Sequence, residues 1–210
     1  MSSIYVFDLD GTLVDSMPYF AKGILSIPEE VGIPTSPELL KIVTPLGYTK
    51  TAEYYRRELG MQDSTENIVR RIEAKLVYEY ANNIVPKTGV ADYLHARHAE
   101  GARLFVLTAS PHIVTDVCLQ HNGLFDLFEQ VWSVEDFALS KSDPRIFFEV
   151  AKKIGCEVQD VHYFDDSLIA LRNAKAAGYR TYAVYDAQND EEIAEMKREY
   201  DVFVPSFAEL

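Results

Sequence analysis

Two carboxylates separated by one residue, Asp8 and Asp10, follow the apolar run Ile4–Phe7 and stand just before Gly11. Carboxylates this close repel each other unless one is protonated or a cation lies between them. Their oxygens suit a hard divalent cation such as magnesium. Gly11 lets the chain turn directly after the pair. An Asx-rich turn after a strand is the alternative reading of these residues taken alone.

Three further segments carry groups of matching chemistry. Leu107-Thr108-Ala109-Ser110-Pro111 places a hydroxyl ahead of a helical pattern, with Pro111 suited to the first helical position. Thr108 and the backbone N–H groups there can hold an anion, or Thr108 can serve as an N-cap. Lys141, in Ser140-Lys141-Ser142-Asp143-Pro144, precedes another helix, where a cation gains nothing from the dipole; it faces either an anion or solvent. Asp165 and Asp166 follow the apolar run Val161–Phe164. One of these acids can ligate a metal while its neighbour holds a ligating water, or Asp166 can cap the next helix. Phosphate monoester hydrolysis needs a nucleophile, an acid, a cation for the phosphoryl oxygens and a metal. Four such groups, each after a strand-like run, favour that chemistry.

The elements that must position them alternate between short β-branched or aromatic runs and helical patterns, which specifies an α/β fold with a parallel sheet. Strands are predicted at Ile4–Phe7, Leu104–Leu107, Gln130–Ser133, Val161–Phe164, Thr181–Val184 and Val202–Val204. The first, second and fourth are almost wholly apolar, as strands covered on both faces are. Gly123, Gly155 and Gly178 follow helical runs where left-handed caps belong. A helix is predicted over Asn189–Tyr200, with acids at its start and bases near its end. The interval between the first two strands exceeds what one crossover helix needs, and residues 15–85 read as a helical insert in a core of 1–14 and 86–210. Within the insert, Thr49–Leu59 is amphipathic. Ile68, Ile72, Leu76, Val77 and Tyr80 recur at helical spacing behind an acidic capping box formed by Asp63 and Glu66. Pro45-Leu46-Gly47-Tyr48-Thr49-Lys50 is a loop between two helical stretches.

The 210 residues suffice for one sizeable domain with an insert. A net charge of −13 argues against nucleic acid as a partner. No apolar run approaches the ~20 residues of a membrane span. The start Met1-Ser2-Ser3-Ile4 lacks signal-peptide character, so a cytoplasmic protein without a membrane partner is expected. Cys118 and Cys156 supply neither a disulfide framework nor a zinc pattern. His95 and His98 share a helical face without further ligands at a recognised spacing, and His112 is expected to be exposed in a first helical turn.

The Asp8–Thr12 motif, Thr108, Lys141 and the Asp165–Asp166 pair together resemble the four motifs of the haloacid dehalogenase superfamily. The helical insert is similar to the cap of its phosphoglycolate phosphatase and β-phosphoglucomutase branch. The resemblance covers the whole chain and implies a Rossmann-like core beneath a mobile cap. It further implies Asp8 as the nucleophile that forms an aspartyl-phosphate, and Asp10 as acid and then base. Thr108 and the Ala109 amide would bind phosphoryl oxygens, with Lys141 balancing their charge. Magnesium would be held by Asp8, the Asp10 backbone carbonyl and Asp166, with Asp165 ranked below Asp166. Ala109, Ser142 and Ala170 depart from residues common in relatives and bear on phosphate contacts rather than on reaction class. In similar proteins the loop that holds Lys50 reads the substrate, so Lys50 is a candidate for a second anionic group. Phe20 stands where a mutase carries histidine, which favours hydrolysis over phosphoryl transfer between sugars. The expected partner is a small phosphorylated metabolite, and the expected state is a monomer or weak homodimer. A phosphoacceptor receiver and a silent binding protein are the readings of another class.

Overall fold

The structure, a computed structural model, describes residues 2–210. In chain order its strands and α-helices are β1 (Ile4–Phe7), α1 (Met17–Glu29), α2 (Pro37–Val43), α3 (Gly47–Arg57), α4 (Thr65–Asn82), α5 (Val90–Ala99), β2 (Arg103–Thr108), α6 (His112–His121), β3 (Gln130–Ser133), α7 (Arg145–Ile154), β4 (Val161–Asp165), α8 (Leu168–Ala177), β5 (Arg180–Val184), α9 (Ile193–Glu199) and β6 (Val202–Val204). They form two compact units, one of the chain up to Asp15 with Val85–Leu210, the other of Ser16–Ile84. Asp15 and Val85 therefore belong with the sheet rather than with the insert. The Asp15 N–H donates to the Val85 carbonyl at 3.1 Å, and Val14 bridges Pro86. The outgoing and returning chains thus run side by side, and their paired backbones fix where the first unit ends.

The first unit is an α/β fold of the Rossmann-like kind, built on a parallel sheet of order β3-β2-β1-β4-β5-β6. All six strands fall where the apolar runs predict them, with β2, β4 and β5 each starting or ending a residue beyond. The additions matter at the carboxyl ends, because Thr108 and Asp165 become the last strand residues rather than loop residues. β1 is buried along its whole length, as a central strand covered on both faces must be. Behind the ends of β1, β4 and β5 lies an aromatic stack. Phe7 and Phe164 have ring centroids 4.8 Å apart, Phe164 and Tyr182 4.2 Å, and Phe164 and Phe207 5.7 Å. Another cluster joins Val6, Leu107, Trp132, Phe147, Tyr163 and Leu171. Such contacts hold strand ends to a fraction of an ångström because protein interiors are close-packed.

Helix boundaries differ from the periodicity in four places. Pro111 is the extended residue before α6 rather than its first helical residue. The predicted Asn189–Tyr200 helix is a 3₁₀ turn, Ala187–Glu192, followed by α9, with a break at Asn189. The Asn189 amide donates to the Asp166 carbonyl at 2.7 Å, a contact that draws the residue out of helical register. In the second unit α4 is capped by Ser64, whose hydroxyl accepts the Asn67 N–H at 3.1 Å. Asp63 instead accepts from the Asn67 side chain and Arg71. The segment expected as a loop, Pro45–Lys50, is the end of a 3₁₀ turn, Thr44–Leu46, running into the first turn of α3.

The second unit is helical, as its periodicity predicts. Ile68, Ile72, Leu76 and Tyr80 of α4 are buried, α1 and α3 pack against α4, and the Tyr55 hydroxyl donates to the Ile24 carbonyl at 2.9 Å. No helix among the described residues is long and apolar enough to cross a membrane.

Gly89 locks the carboxyl-terminal turn that carries Phe207. It sits at φ 85° before α5, and a Cβ there would stand 2.2 Å from the Ala208 backbone nitrogen. Neither the left-handed conformation nor a backbone clash can be relieved by a rotamer change. Gly89→Ala is expected to destabilise the protein by roughly 3 kcal/mol, read as a lowered denaturation midpoint. An unchanged midpoint would mean that the Phe207 turn does not support the sheet.

Candidate active site

Asp8 directly follows β1, and its N–H donates to the Phe164 carbonyl of β4 at 2.8 Å. That bond extends the parallel ladder by one residue and brings Asp8 beside Asp165. The chain then turns tightly. The N–H groups of Thr12, Leu13 and Val14 all donate to the Leu9 carbonyl, at 3.3, 2.9 and 3.0 Å. Gly11, at φ 73°, leaves space that a side chain would fill, since a Cβ there would meet Asp166 Oδ2 at 2.6 Å. Asp166 reaches the turn only because residue 11 has no side chain.

Lys141 is the cation of the cluster. Its Nζ lies 2.7 Å from Asp8 Oδ1 and 2.8 Å from Asp165 Oδ2, with both carboxylates buried and Lys141 nearly so. Burial alone would lower the Lys141 pKa, but Asp165 and Asp8 overcome it and hold the group above its ordinary value. Asp165 is fully occupied: Oδ2 accepts from Lys141 and the Tyr163 hydroxyl, and Oδ1 accepts the Ser167 N–H at 2.8 Å. Asp8 differs. Its Oδ1 is buried without a well-aligned hydrogen bond, because the close Lys141 ammonium meets it as an ion pair only. Burial pushes the Asp8 pKa well above the carboxylate range; Lys141 opposes this, while Asp165, Asp166 and Asp10 add to it.

Asp166 is held by neutral donors. The Thr12 hydroxyl donates to Oδ1 at 3.3 Å and the Asn189 amide to Oδ2 at 3.4 Å. Its pKa is pushed up to about 7, by burial first and by Asp165 second. Lys87 stands nearby, donating to the Gly11 carbonyl, donating to the Tyr185 carbonyl at 2.8 Å and pairing with Asp186 at 2.8 Å. The Ser110 hydroxyl donates to Asp10 Oδ2 at 2.6 Å, and the Ser110 N–H donates to Thr108 Oγ1 at 3.1 Å. Ala109, between them, is exposed.

The first unit thus brings Asp8, Asp10, Thr108, Ala109, Lys141 and Asp166 to neighbouring strand ends. Lys50 belongs to the other unit and is exposed in the first turn of α3. Spacing gave no reason to single out Thr12, Lys87, Ser110, Tyr163 or Asn189 as partners of the acids.

Among the described residues one cluster offers three carboxylate ligands, with an oxygen each from Asp8, Asp165 and Asp166 within 4.8 Å of the others. Asp165 has its oxygens engaged already, which leaves Asp8 and Asp166 as the better donors. An all-oxygen set with an incompletely satisfied buried carboxylate fits a hard divalent cation.

Carboxylates and a lysine gathered beyond the carboxyl ends of a parallel sheet stand where proteins of the open α/β class bind their ligands. Residues 5–184 match the family model for haloacid dehalogenase-like hydrolases, and the chain belongs to that family. A phosphoglycolate phosphatase of Thiobacillus denitrificans is 28% identical, over 97% of this chain and 92% of that protein. Hexitol phosphatase B of Escherichia coli is 26% identical, over 88% of this chain and 85% of that protein. The crystal structure of CbbY from Rhodobacter sphaeroides with phosphate shares the fold, with a TM-score of 0.83, 22% identity and coverage of 100% of this chain and 96% of that one.

His112 is not simply exposed. Its Nε2 lies 2.9 Å from Asp136 Oδ2 and its Nδ1 3.3 Å from Asp116 Oδ1, which ties the start of α6 to the turn after β3. Partial burial works to lower its pKa, but the bonds to Asp136 and Asp116 prevail and raise it. A raised folded-state pKa contributes stability that is complete below the unfolded value of ~6.5 and is lost as pH rises through the folded value. The melting-temperature advantage of the native protein over His112→Gln is expected to be largest near pH 6 and to shrink towards pH 9. An advantage that grows with pH would exclude the bridging imidazolium.

Proposed function

We propose that the chain is a magnesium-dependent phosphohydrolase that cleaves a small phosphorylated metabolite through an aspartyl-phosphate on Asp8. The observation that carries the reading is Lys141 paired with Asp8 and Asp165 where β1 and β4 end, with Asp166 alongside. The phosphatase names of the relatives support a phosphorylated substrate. They favour sugar, sugar-alcohol or phosphoglycolate esters over macromolecules.

In this mechanism an Asp8 oxygen attacks phosphorus as the bond from phosphorus to the ester oxygen breaks, and Asp10 gives its proton to that leaving oxygen. Water then attacks the phosphorus of the aspartyl-phosphate and gives a proton to Asp10. The bond from phosphorus to the Asp8 oxygen breaks, and inorganic phosphate leaves with the enzyme restored. Thr108 and the Ala109 N–H bind phosphoryl oxygens, and Lys141 balances the charge shared between them and Asp8. The Asp8 and Asp166 side chains and the Asp10 carbonyl would hold magnesium, which would supply further charge neutralisation. Asp165 fixes Lys141. The Ser16–Ile84 unit serves as the cap that excludes water and reads the rest of the substrate, with Lys50 as the contact for a second anionic group.

Asp8→Asn removes the attacking oxygen's charge while keeping its shape. The variant is expected to lose at least ~10³-fold in kcat on p-nitrophenyl phosphate, within the range that removal of a nucleophile costs. The native protein should release phosphate over many turnovers with magnesium and stop in excess chelator. Comparable turnover by the variant would end the nucleophile assignment, and a single labelling event without turnover would favour a receiver. For the cap, Lys50→Ala is expected to lower kcat/KM by about tenfold on substrates with a second anionic group, with little change on those without one. Equal effects across the panel would dismiss Lys50 as a specificity residue.

A further inference from the structure

The loop after β2 contains a group whose geometry the mechanism above does not use. Ser110 donates its hydroxyl to Asp10 Oδ2 at 2.6 Å, a contact between residues 100 apart in the chain. At that length the bond is of the short, charge-assisted kind. Ser110 is itself held, because its N–H donates to Thr108 Oγ1 at 3.1 Å. Thr108 is the last residue of β2, buried and paired in the sheet with Ser133. A rigid strand end therefore fixes the Ser110 backbone, and the Ser110 hydroxyl in turn fixes the Asp10 carboxyl.

We propose that Ser110 is the positioning residue for the acid and base Asp10. The inference rests on the proposed roles of Asp8 and Asp10. The hydroxyl that donates to Oδ2 fixes that oxygen of Asp10 against the loop after β2. The same bond restrains rotation of the Asp10 carboxyl. It also joins two parts of the site in one turn, since Ser110 binds the acid through its side chain and the phosphate-binding Thr108 through its backbone. A misplaced acid matters most when the leaving group is poor, because a good leaving group departs without full protonation.

The test compares kcat/KM, which covers the steps through cleavage of the substrate ester, for Ser110→Ala, Ser110→Thr and Asp10→Asn. The substrates are p-nitrophenyl phosphate, with a good leaving group, and an alkyl phosphate that the native enzyme turns over. Ser110→Ala is expected to lose roughly 10- to 100-fold on the alkyl phosphate, the order expected from removing a hydrogen bond to a charged group, and less than about threefold on p-nitrophenyl phosphate. Ser110→Thr, which keeps the hydroxyl, should restore most of the loss. Asp10→Asn should show the same selectivity, more strongly. If Asp10→Asn is selective and Ser110→Ala lowers both substrates equally, Ser110 contacts substrate or supports the loop, and the proposal is overturned while the role of Asp10 stands. If Asp10→Asn is not selective, the acid role falls and the positioning role falls with it.

Discussion

Burying several carboxylates together is the costliest thing this chain does, and one ammonium makes it tolerable. Each charge taken from water costs several kcal/mol even after the surroundings relax. At an effective dielectric of ~20, an ion pair at the 2.7 Å separation of Lys141 and Asp8 is worth about 6 kcal/mol of Coulomb attraction. Lys141 makes that contact and a second at 2.8 Å with Asp165. Asp166 has no share in either, and repulsion between carboxylate oxygens within 4.8 Å is about 3.5 kcal/mol or more on the same scale. One lysine therefore balances two of the three acids. The third is bonded by neutral donors, and its pKa is raised to about 7 by burial and Asp165 although Lys141 and Lys87 oppose the shift.

The fold supplies this crowding through strand pairing. Asp8 and Asp165 come together because β1 and β4 are neighbours in register, with Phe7 opposite Phe164. A one-residue slip of either strand would separate the two acids and turn one of them to the other face. The aromatic stack behind the strand ends resists such a slip. Gly11 adds the third acid by leaving room for Asp166, and Lys87 ties the Gly11 carbonyl to the segment after β5. The centre is thus a consequence of sheet order, with one glycine and one lysine making the final adjustment.

Much of this was legible in the sequence because buried parallel strands announce themselves as continuous apolar runs, and polar residues at their ends stand out against them. Asp8, Thr108 and the Asp165–Asp166 pair could be found that way, whereas Lys141 stood out as a cation just before a helix. What could not be read are partners chosen by tertiary structure. Ser110 is an ordinary loop serine until a residue far back in the chain is brought beside it, and Lys87 is an ordinary lysine until Gly11 is. The α4 cap moved from Asp63 to Ser64 for a similar reason. Both side chains can cap a helix, and Arg71 and Asn67 engage Asp63. Helical periodicity likewise cannot register the pull of Asp166 on Asn189, which divides the last predicted helix.

Four carboxylates of nearly identical intrinsic acidity are given different neighbours, and that is how a cluster of one residue type can divide labour. Asp165 has both oxygens committed, to Lys141, Tyr163 and the Ser167 amide, and is suited to anchoring. Asp8 meets the same cation through Oδ1, in a buried ion pair. Asp166 leans on a hydroxyl and an amide, weak contacts that a metal could supplement without breaking. Asp10 lies on the β2 side, where the Ser110 hydroxyl donates to it. Asp8 and Asp165 thus share the Lys141 charge, while Asp166 and Asp10 each accept a hydroxyl hydrogen bond.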